Sequence, residues 1–234
     1  MTTKTVKDPL AHVRRVAFMD EMARAIMNTS MGPDPRPIDP AEPFKCVTRR
    51  LVTERQMHGR DRHTPFGVDG DWRPVQLPGF PRSWSDKHAC LIWCADYAPG
   101  DILCVGEGMK RATKRAIGPA WFSADNSVVL CGGEAVMWQW TNKGLPGRYM
   151  RKVYARTFMR VTDVRPERLQ AIDDADALRE GIARQGQECV LTPWERFTDL
   201  WDGLHKDPPF DWASSPWVWR IAFERITKEE ATNG

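Results

Sequence analysis

The sequence lacks the features that mark membrane and secreted proteins. No apolar run reaches the length of a transmembrane helix, and the opening residues MTTKTVKDPL do not have the form of a secretory signal. The six cysteines are scattered through the chain rather than grouped as a disulfide framework. We therefore expect a cytoplasmic protein with free thiols and no membrane association. The cysteines are Cys46, Cys90, Cys94, Cys104, Cys131 and Cys189.

The sequence also lacks a complete metal-binding motif. His88, Cys90 and Cys94 lie close together and resemble half of a zinc site, but no second pair with metal-ligand spacing follows them. Thiols packed beneath a strand are the alternative interpretation of these residues. We therefore expect no metal and no cofactor.

A strong excess of one charge is missing as well. The chain has 34 basic and 31 acidic residues, which gives a net charge of +3. Any contact with nucleic acid would therefore have to come from a local basic patch. Most of the eleven tryptophans are expected to fill the core, and a minority can act as stacking platforms for bases. Arginine and lysine do cluster, at Arg49, Arg50, Arg55, Arg60 and Arg62, and again at Arg148, Arg151, Lys152 and Arg156.

The organisation along the chain predicts one domain. The 234 residues are 41% hydrophobic and 28% charged, contain no repeat, and show no linker between two cores. We expect a single α+β domain over residues 1–234, built on a small, mostly antiparallel barrel or curved sheet. Residues 29–43 and 106–148 have the form of elaborations on this domain.

Local patterns predict the individual elements. Apolar spacing indicates a helix over 18–27, after which a proline-rich loop leads to Lys45. A helix capped by Asp173 should end at Gly181, and Thr192 with Glu195 forms a capping box with Pro193 at the first helical position. Residues 56–89 have a loop-like composition. Strands are predicted at 47–53, 90–94, 102–106, 153–164 and 217–224, with a hairpin over 128–140.

The stretch Lys45-Cys46-Val47-Thr48-Arg49-Arg50 carries the strongest chemical signal. A lysine three residues before a hydroxyl can activate that hydroxyl if burial or neighbouring cations lower the lysine pKa. In an extended strand the two side chains face opposite sides, so this chemistry requires a turn or bulge at Cys46-Val47. The alternative is a basic strand edge, in which Thr48 is an ordinary strand residue and Arg49 lies on a solvated face.

The ordered set of motifs resembles a known family. Lys-x-x-Thr-x-Arg at 45–50 is followed by Pro-Gly-Asp-Ile-Leu-Cys-Val-Gly-Glu at 99–107 and by Val-Thr-Asp-Val-Arg-Pro-Glu-Arg-Leu at 161–169. Ala-Leu-Arg-Glu-Gly-Ile, Phe-Thr-Asp-Leu-Trp-Asp and Pro-Trp-Val-Trp-Arg-Ile-Ala-Phe-Glu-Arg-Ile then begin at positions 177, 197 and 216. From about residue 18 to residue 226 the chain resembles an ASCH domain, of the long form commonly encoded by bacteriophages and prophages.

The resemblance implies a fold and an activity. ASCH domains have a PUA-like β-barrel with flanking helices, and they are generally thought to bind RNA or modified nucleotides. One small bacterial branch hydrolyses the acyl amide of N4-acetylcytidine with a lysine, a threonine and a glutamate. In this sequence those positions fall on Lys45, Thr48 and Glu180, and the resemblance adds Arg50 and Glu107 as substrate-binding residues. Pro43 stands where the family has a glycine.

Three functions follow from this resemblance. The first is an amidohydrolase acting on an N4-acylated cytosine, with Thr48 as nucleophile and Lys45 as base. The second is a non-catalytic module for RNA or single-stranded DNA, which uses the same polar cleft to bind a base and the arginines to contact the backbone. The third is a ribonuclease, although the motif contains no histidine to favour it. The acyl group, and the choice between free nucleoside, RNA and DNA, stay open.

Several of these residues also have a structural interpretation. Lys45 can instead form a partly buried ion pair with Glu107 or Glu180. Glu180 falls in the last turn of its helix, where a carboxylate opposes the helix dipole and calls for a cation or ligand. Arg151, Lys152 and Arg156 are either phosphate contacts or a charged surface.

Overall fold

The computed structural model describes residues 9–18, 20–32, 34–39, 44–52, 57–59, 73–77, 80–85, 91–94, 96–111, 118–182 and 191–233. In these ranges the protein is a mixed α/β structure with several sheets and few helices. The helices are α1 (Asp20–Met27), α2 (Asp174–Arg179), α3 (Pro193–Leu204) and α4 (Lys228–Asn233). The strands are β1 (Arg14–Ala17), β2 (Val47–Leu51), β3 (Met57–Gly59), β4 (Arg73–Leu77), β5 (Phe80–Ser85), β6 (Leu91–Cys94), β7 (Ile102–Gly106), β8 (Met109–Arg111), β9 (Ala120–Phe122), β10 (Leu130–Cys131), β11 (Glu134–Ala135), β12 (Gly144–Leu145), β13 (Phe158–Arg168) and β14 (Trp217–Ile226).

The helix ends follow the capping signals of the sequence. The Asp173 side chain accepts a hydrogen bond from the Asp176 backbone N–H at the start of α2. That helix ends with Glu180 as its C-cap, and the next residue, Gly181, has a φ of 95°. Helix α3 begins with the complete capping box of Thr192 and Glu195. The predicted capping of both helices is confirmed.

The chain divides into two compact units, each assembled from separated stretches. The first unit contains residues 1–38, 101–160 and 224–234. In it β1 runs parallel to β7, and β7 pairs antiparallel with the start of β13, where Phe158 lies opposite Cys104. A small sheet of order β12-β8-β9 and the β10-β11 hairpin complete the strands described there. The core of this unit includes Val13, Cys104, Met109, Phe122, Met150 and Phe158, all at most 2% exposed.

The second unit contains residues 39–100 and 161–223. Strand β2 pairs antiparallel with β14, and a separate sheet has the order β3-β6-β5-β4. Helices α2 and α3 pack on each other. The core of this unit consists of Leu169, Ile172, Ala177, Ile182, Phe197, Trp201, Trp212 and Val218. The C-terminal end of α2 lies beside the start of β2, and the candidate site lies at this contact.

Two predictions about the elements are wrong. Within the loop-like stretch 56–89 the structure has strands β3, β4 and β5, because antiparallel pairing of β4 with β5, and of β5 with β6, satisfies the backbone despite an unfavourable composition. The long strand expected at 153–164 begins only at Phe158 and continues to Arg168. Residues Lys152–Tyr154 form a 3₁₀ turn instead, closed by the Ala155 N–H on the Lys152 carbonyl.

The strands that the structure describes are not found to close into a barrel, so the PUA-like barrel stays a prediction. None of the helices in the described ranges is long and apolar enough to cross a lipid bilayer.

Candidate functional site

Lys45 is held against the end of helix α2 before strand β2 begins. Lys45 and Glu180 form an isolated antiparallel bridge, and the Cys46 N–H donates to the Arg179 carbonyl at 2.9 Å. The backbone bends at Cys46 and becomes a strand at Val47. This bend lies at the position where the lysine–threonine chemistry requires a turn.

The side chains of Lys45 and Glu180 form a buried ion pair. Lys45 Nζ donates to Glu180 Oε2 at 2.7 Å and to the Glu180 backbone oxygen at 2.7 Å. The two side chains are only 3% and 5% exposed. Burial lowers the pKa of Lys45 and outweighs the opposite effect of the Glu180 carboxylate. Of the two acidic partners proposed for Lys45 from the sequence, the structure therefore shows Glu180, and the amine is more easily deprotonated than that of an exposed lysine.

Thr48 is the hydroxyl nearest in sequence to this amine. It lies on β2 opposite Ile221 of β14 and is 8% exposed. Its hydroxyl makes no hydrogen bond within the part of the chain that the structure describes. Burial raises the pKa of the neighbouring Cys46 thiol to about 11, so at neutral pH this group is a poorly nucleophilic thiol. Thr48 is therefore the better candidate nucleophile of the two.

Arg49 corrects one expectation from the sequence. A solvated face was predicted, whereas its side chain is 1% exposed and surrounded by carboxylates. Nε donates to Glu167 Oε1 at 2.8 Å, Nη2 to Asp176 Oδ2 at 2.7 Å, and Nη1 to Glu180 Oε1 at 3.1 Å. The side chain is buried because these three acceptors replace its hydration. The next residue, Arg50, is exposed and lies opposite Trp219 in the strand register.

Asp176 connects Arg49 to a second arginine, Arg220 on β14. Arg220 donates to Asp176 through Nε at 3.0 Å and through Nη2 at 3.1 Å. Burial alone would raise the pKa of Asp176, but the hydrogen bonds from Arg220 and Arg49 outweigh this effect and hold it well below its ordinary value. The carboxylate is therefore ionised throughout the neutral range.

Glu107 lies in the first unit, where it pairs with Arg156. The Glu107 side chain is fully buried, and it accepts from Arg156 Nε at 3.0 Å and Nη2 at 2.6 Å. Arg156 Nη1 donates to Asp125 and Ser127, and its guanidinium carbon lies 3.9 Å from the centroid of the Phe122 ring. The guanidinium predicted to contact phosphate is thus already paired with two carboxylates.

The remaining predicted phosphate contacts differ in exposure. Lys152 Nζ donates to the backbone oxygens of Leu10 and Val13. Arg151 is exposed, with its guanidinium carbon 5.8 Å from the Tyr154 ring centroid. Arg148 and Tyr149, nearby in the same unit, are exposed as well. The exposed groups of this cluster that can reach a phosphate are therefore Arg148 and Arg151.

The structure thus brings Lys45, Glu180 and the buried Arg49 together, with Thr48 and Arg50 on the adjoining strand. Glu107 and Arg156 form a separate group in the first unit. Sequence reasoning missed Arg49, Glu167, Asp176 and Arg220 as members of the network around Glu180. No local pattern in the sequence indicates that Arg49 and Arg220 donate to the same carboxylate, Asp176. These contacts join residues more than 40 positions apart.

Two features noted in the sequence, the partial zinc motif and the proline in place of the family's glycine, fall on residues that the structure does not fully describe. His88, Cys90 and Pro43 lie outside the described residues, as does the side chain of Cys94. Among the described residues, no group of histidines, cysteines and carboxylates is arranged to hold a metal ion.

Comparison of the chain with family models, with curated proteins and with solved structures finds no match.

Proposed function

We propose that the protein is an ASCH-type, PUA-like amidohydrolase that removes the acyl group from an N4-acylated cytosine. Lys45, Thr48 and Glu180 are its catalytic residues, and Arg50 binds the substrate beside them. The cytoplasm is its proposed location.

The observation that carries the proposal is the buried contact between Lys45 and Glu180. Residues 135 positions apart in sequence place an amine and a carboxylate 2.7 Å apart. Burial lowers the pKa of the amine, which is the condition for a lysine to act as a general base. The Thr48 hydroxyl follows three residues later, just beyond the bend at Cys46.

The proposed reaction has two stages. Thr48 Oγ1 attacks the acyl carbon while neutral Lys45 takes the hydroxyl proton, and the acyl carbon–N4 bond then breaks as Lys45 returns the proton to N4. This stage releases cytidine and leaves the acyl group as an ester on Thr48. In the second stage Lys45 deprotonates a water molecule that attacks the ester, the acyl carbon–Oγ1 bond breaks as Lys45 returns the proton to Thr48 Oγ1, and the carboxylic acid leaves.

The other groups stabilise charge in this scheme. Glu180 orients Lys45 and stabilises the protonated form that arises when Lys45 takes a proton. Arg50 is the nearest exposed cation on the same strand, and it can stabilise the oxyanion that forms on the acyl group. Glu107 is fully buried against Arg156 in the first unit, so its proposed role in substrate binding requires that pair to open.

A second candidate function is the recognition of RNA or single-stranded DNA without catalysis. The observation that favours it is the exposed pair of Arg148 and Tyr149, with Arg151 two residues further along. Tyr149 is 60% exposed, and the guanidinium carbon of Arg148 lies 4.9 Å from its ring centroid. An exposed aromatic ring beside arginines can stack a base and contact its phosphate.

The test is hydrolysis of N4-acetylcytidine and longer N4-acyl cytidines, followed by release of free cytidine. Wild-type protein should turn over at least one of them, while Lys45→Ala and Thr48→Val should each lose about 100-fold or more in rate. Thr162→Val, at an exposed threonine of β13, is the matched control and should retain full activity. No turnover by wild type, together with salt-dependent binding of an oligonucleotide, would overturn the enzyme proposal in favour of the second candidate.

A further inference from the structure

Glu180 is shared between two cations. Its Oε2 atom accepts from Lys45 Nζ at 2.7 Å, while its Oε1 atom accepts from Arg49 Nη1 at 3.1 Å. The carboxylate therefore has a permanent positive partner in Arg49, because a guanidinium stays protonated under all ordinary conditions. Burial lowers the pKa of Lys45, so within this trio it is Lys45 whose amine is made easier to deprotonate.

Leaving Lys45 and Arg50 aside, the ion pairs around this trio join equal numbers of acidic and basic groups. Among the described residues the network contains four carboxylates and four guanidinium groups, joined by ion pairs of 2.7 to 3.6 Å. A protonated Lys45 adds one positive charge, at a buried position, to an ion-pair network whose own charges are equal in number. The carboxylates are Asp163, Glu167, Asp176 and Glu180, and the arginines are Arg49, Arg165, Arg179 and Arg220.

The groups that act on the Lys45 amine come from both neighbouring elements. From the end of α2, Glu180 favours the protonated form, and from β2, Arg50 and Arg49 oppose it. Nζ donates to Glu180 Oε2 and to the Glu180 backbone oxygen, and a neutral amine has two N–H groups that can make these two bonds. Both protonation states of Lys45 are therefore compatible with these two bonds.

We propose that Arg49 is a positioning residue for the hydrolysis: it fixes the Glu180 carboxylate and supplies the positive charge that lets Lys45 act as a neutral amine. This inference rests on the proposed function for its catalytic meaning. Arg49 holds Glu180 through one oxygen only, so the second oxygen stays directed at Lys45. Its Nε, Nη1 and Nη2 atoms reach three different carboxylates at once, which a lysine ammonium at this position cannot do in the same planar geometry.

Removal of Arg49 has a defined electrostatic consequence. Arg49→Gln deletes a cation that repels protonated Lys45, and it also leaves the Glu180 charge to Lys45 alone. Both changes favour the protonated amine, so the pKa of Lys45 should rise by about 1 to 3 units. Since the base must be neutral to take a proton, the rising limb of the pH–rate profile should move to higher pH by the same amount.

The experiment is a titration of Lys45 by NMR, in wild-type protein labelled with ¹³C and ¹⁵N in its lysines. The Lys45 resonance is assigned by its loss in Lys45→Met. We expect an increase of at least one unit in the pKa of Lys45 in Arg49→Gln, and less than half a unit in Arg49→Lys, which keeps the charge. Arg220→Gln is the matched control, because Arg220 belongs to the same network but contacts Asp176 and Asp163 rather than Glu180. It should also shift the pKa by less than half a unit.

A folded Arg49→Gln variant with an unchanged Lys45 pKa would overturn the inference, as would an equal rise in Arg220→Gln. If Arg49→Gln does not fold, the double variant Arg49→Gln/Glu167→Gln removes a carboxylate partner of Arg49 as well and is judged by the same outcomes. The NMR readout does not depend on turnover. If only the proposed function is wrong, the wild-type protein will be inactive, but Arg49→Gln will still raise the pKa of Lys45. If only this inference is wrong, the wild-type protein will be active, but Arg49→Gln will not shift its pH–rate profile.

Discussion

Asp176→Asn tests the energetic importance of the network beneath the candidate site. The Asp176 carboxylate accepts from Arg49 Nη2 at 2.7 Å, from two nitrogens of Arg220 at 3.0 and 3.1 Å, and from Arg179 Nη1 at 3.3 Å. An asparagine keeps the shape of the side chain but not its charge, so the buried positive charge of Arg49 loses one of its carboxylate partners. Breaking a buried ion pair costs about 3–5 kcal/mol, and the 15% exposure of Asp176 reduces this, so we expect a loss of about 2–4 kcal/mol in unfolding free energy at pH 7.

The loss of stability caused by Asp176→Asn should become smaller as the pH falls into the acidic range. The pKa of Asp176 in the folded protein lies below that of the unfolded chain, which is about 3.9. Its stabilising contribution is therefore fully present above about pH 4, and it is lost as the pH falls through the folded pKa. The difference in stability between wild type and Asp176→Asn should consequently be constant from pH 5 to 7 and become smaller below pH 4.

Urea denaturation followed by circular dichroism and tryptophan fluorescence measures this difference at pH 7, 5 and 3. Asp199→Asn, at an exposed position of α3, is the matched control and should change the unfolding free energy by less than about 0.5 kcal/mol. A loss below about 1 kcal/mol in Asp176→Asn at pH 7 would refute the argument. So would a loss that stays the same at pH 3, because the charge of Asp176 could not then be its source.

Two further predictions concern the first unit. Gly147→Ala would place a Cβ atom 2.0 Å from the Gly106 carbonyl oxygen, so we expect the unfolding free energy, measured by thermal or urea denaturation, to fall by about 1–3 kcal/mol. In the control Gly203→Ala the added Cβ atom meets nothing within 4 Å and should not destabilise the protein, and equal stabilities of the two variants would contradict the packing argument. Glu107→Gln should cost about 2–4 kcal/mol, because it removes the buried charge that Arg156 contacts through Nε and Nη2 and leaves Asp125 as the carboxylate partner of Arg156. A double-mutant cycle with Arg156→Gln should show that the two losses do not add, and additive losses would mean that the pair contributes no coupling energy.

The sequence predicted well where the signal is local. The Asp173 cap, the Thr192–Glu195 capping box and the strand at the C-terminus depend on residues within a few positions of one another, and all three are present. The start of β13 was misjudged because alternation alone does not separate a strand from the 3₁₀ turn at Lys152–Tyr154. That turn is held by long-range bonds from Lys152 to the backbone oxygens of Leu10 and Val13, which no local pattern reveals.

In the candidate site, too, some residues could be predicted from the sequence and others could not. The Lys45, Thr48 and Glu180 positions came from motif order, and the structure shows contact between the first and the last of them. The burial of Arg49 could not be predicted, because it depends on acceptors contributed by Glu167, Asp176 and Glu180 from distant parts of the chain. A charged residue beside another arginine has the sequence pattern of a solvated surface, and only the assembled carboxylates make its burial favourable.

The most direct test of the account is the fate of the acetyl group of N4-acetylcytidine labelled with ¹³C at the carbonyl. Followed by NMR in the presence of wild-type protein, the amide carbonyl signal should be replaced by that of free acetate, and free cytidine should accumulate in equal amount. Thr48→Val should leave the amide signal unchanged over the same period. Persistence of the amide signal with folded wild-type protein, for this substrate and for longer N4-acyl cytidines, would contradict the proposal that Lys45, Thr48 and Glu180 form a hydrolytic site.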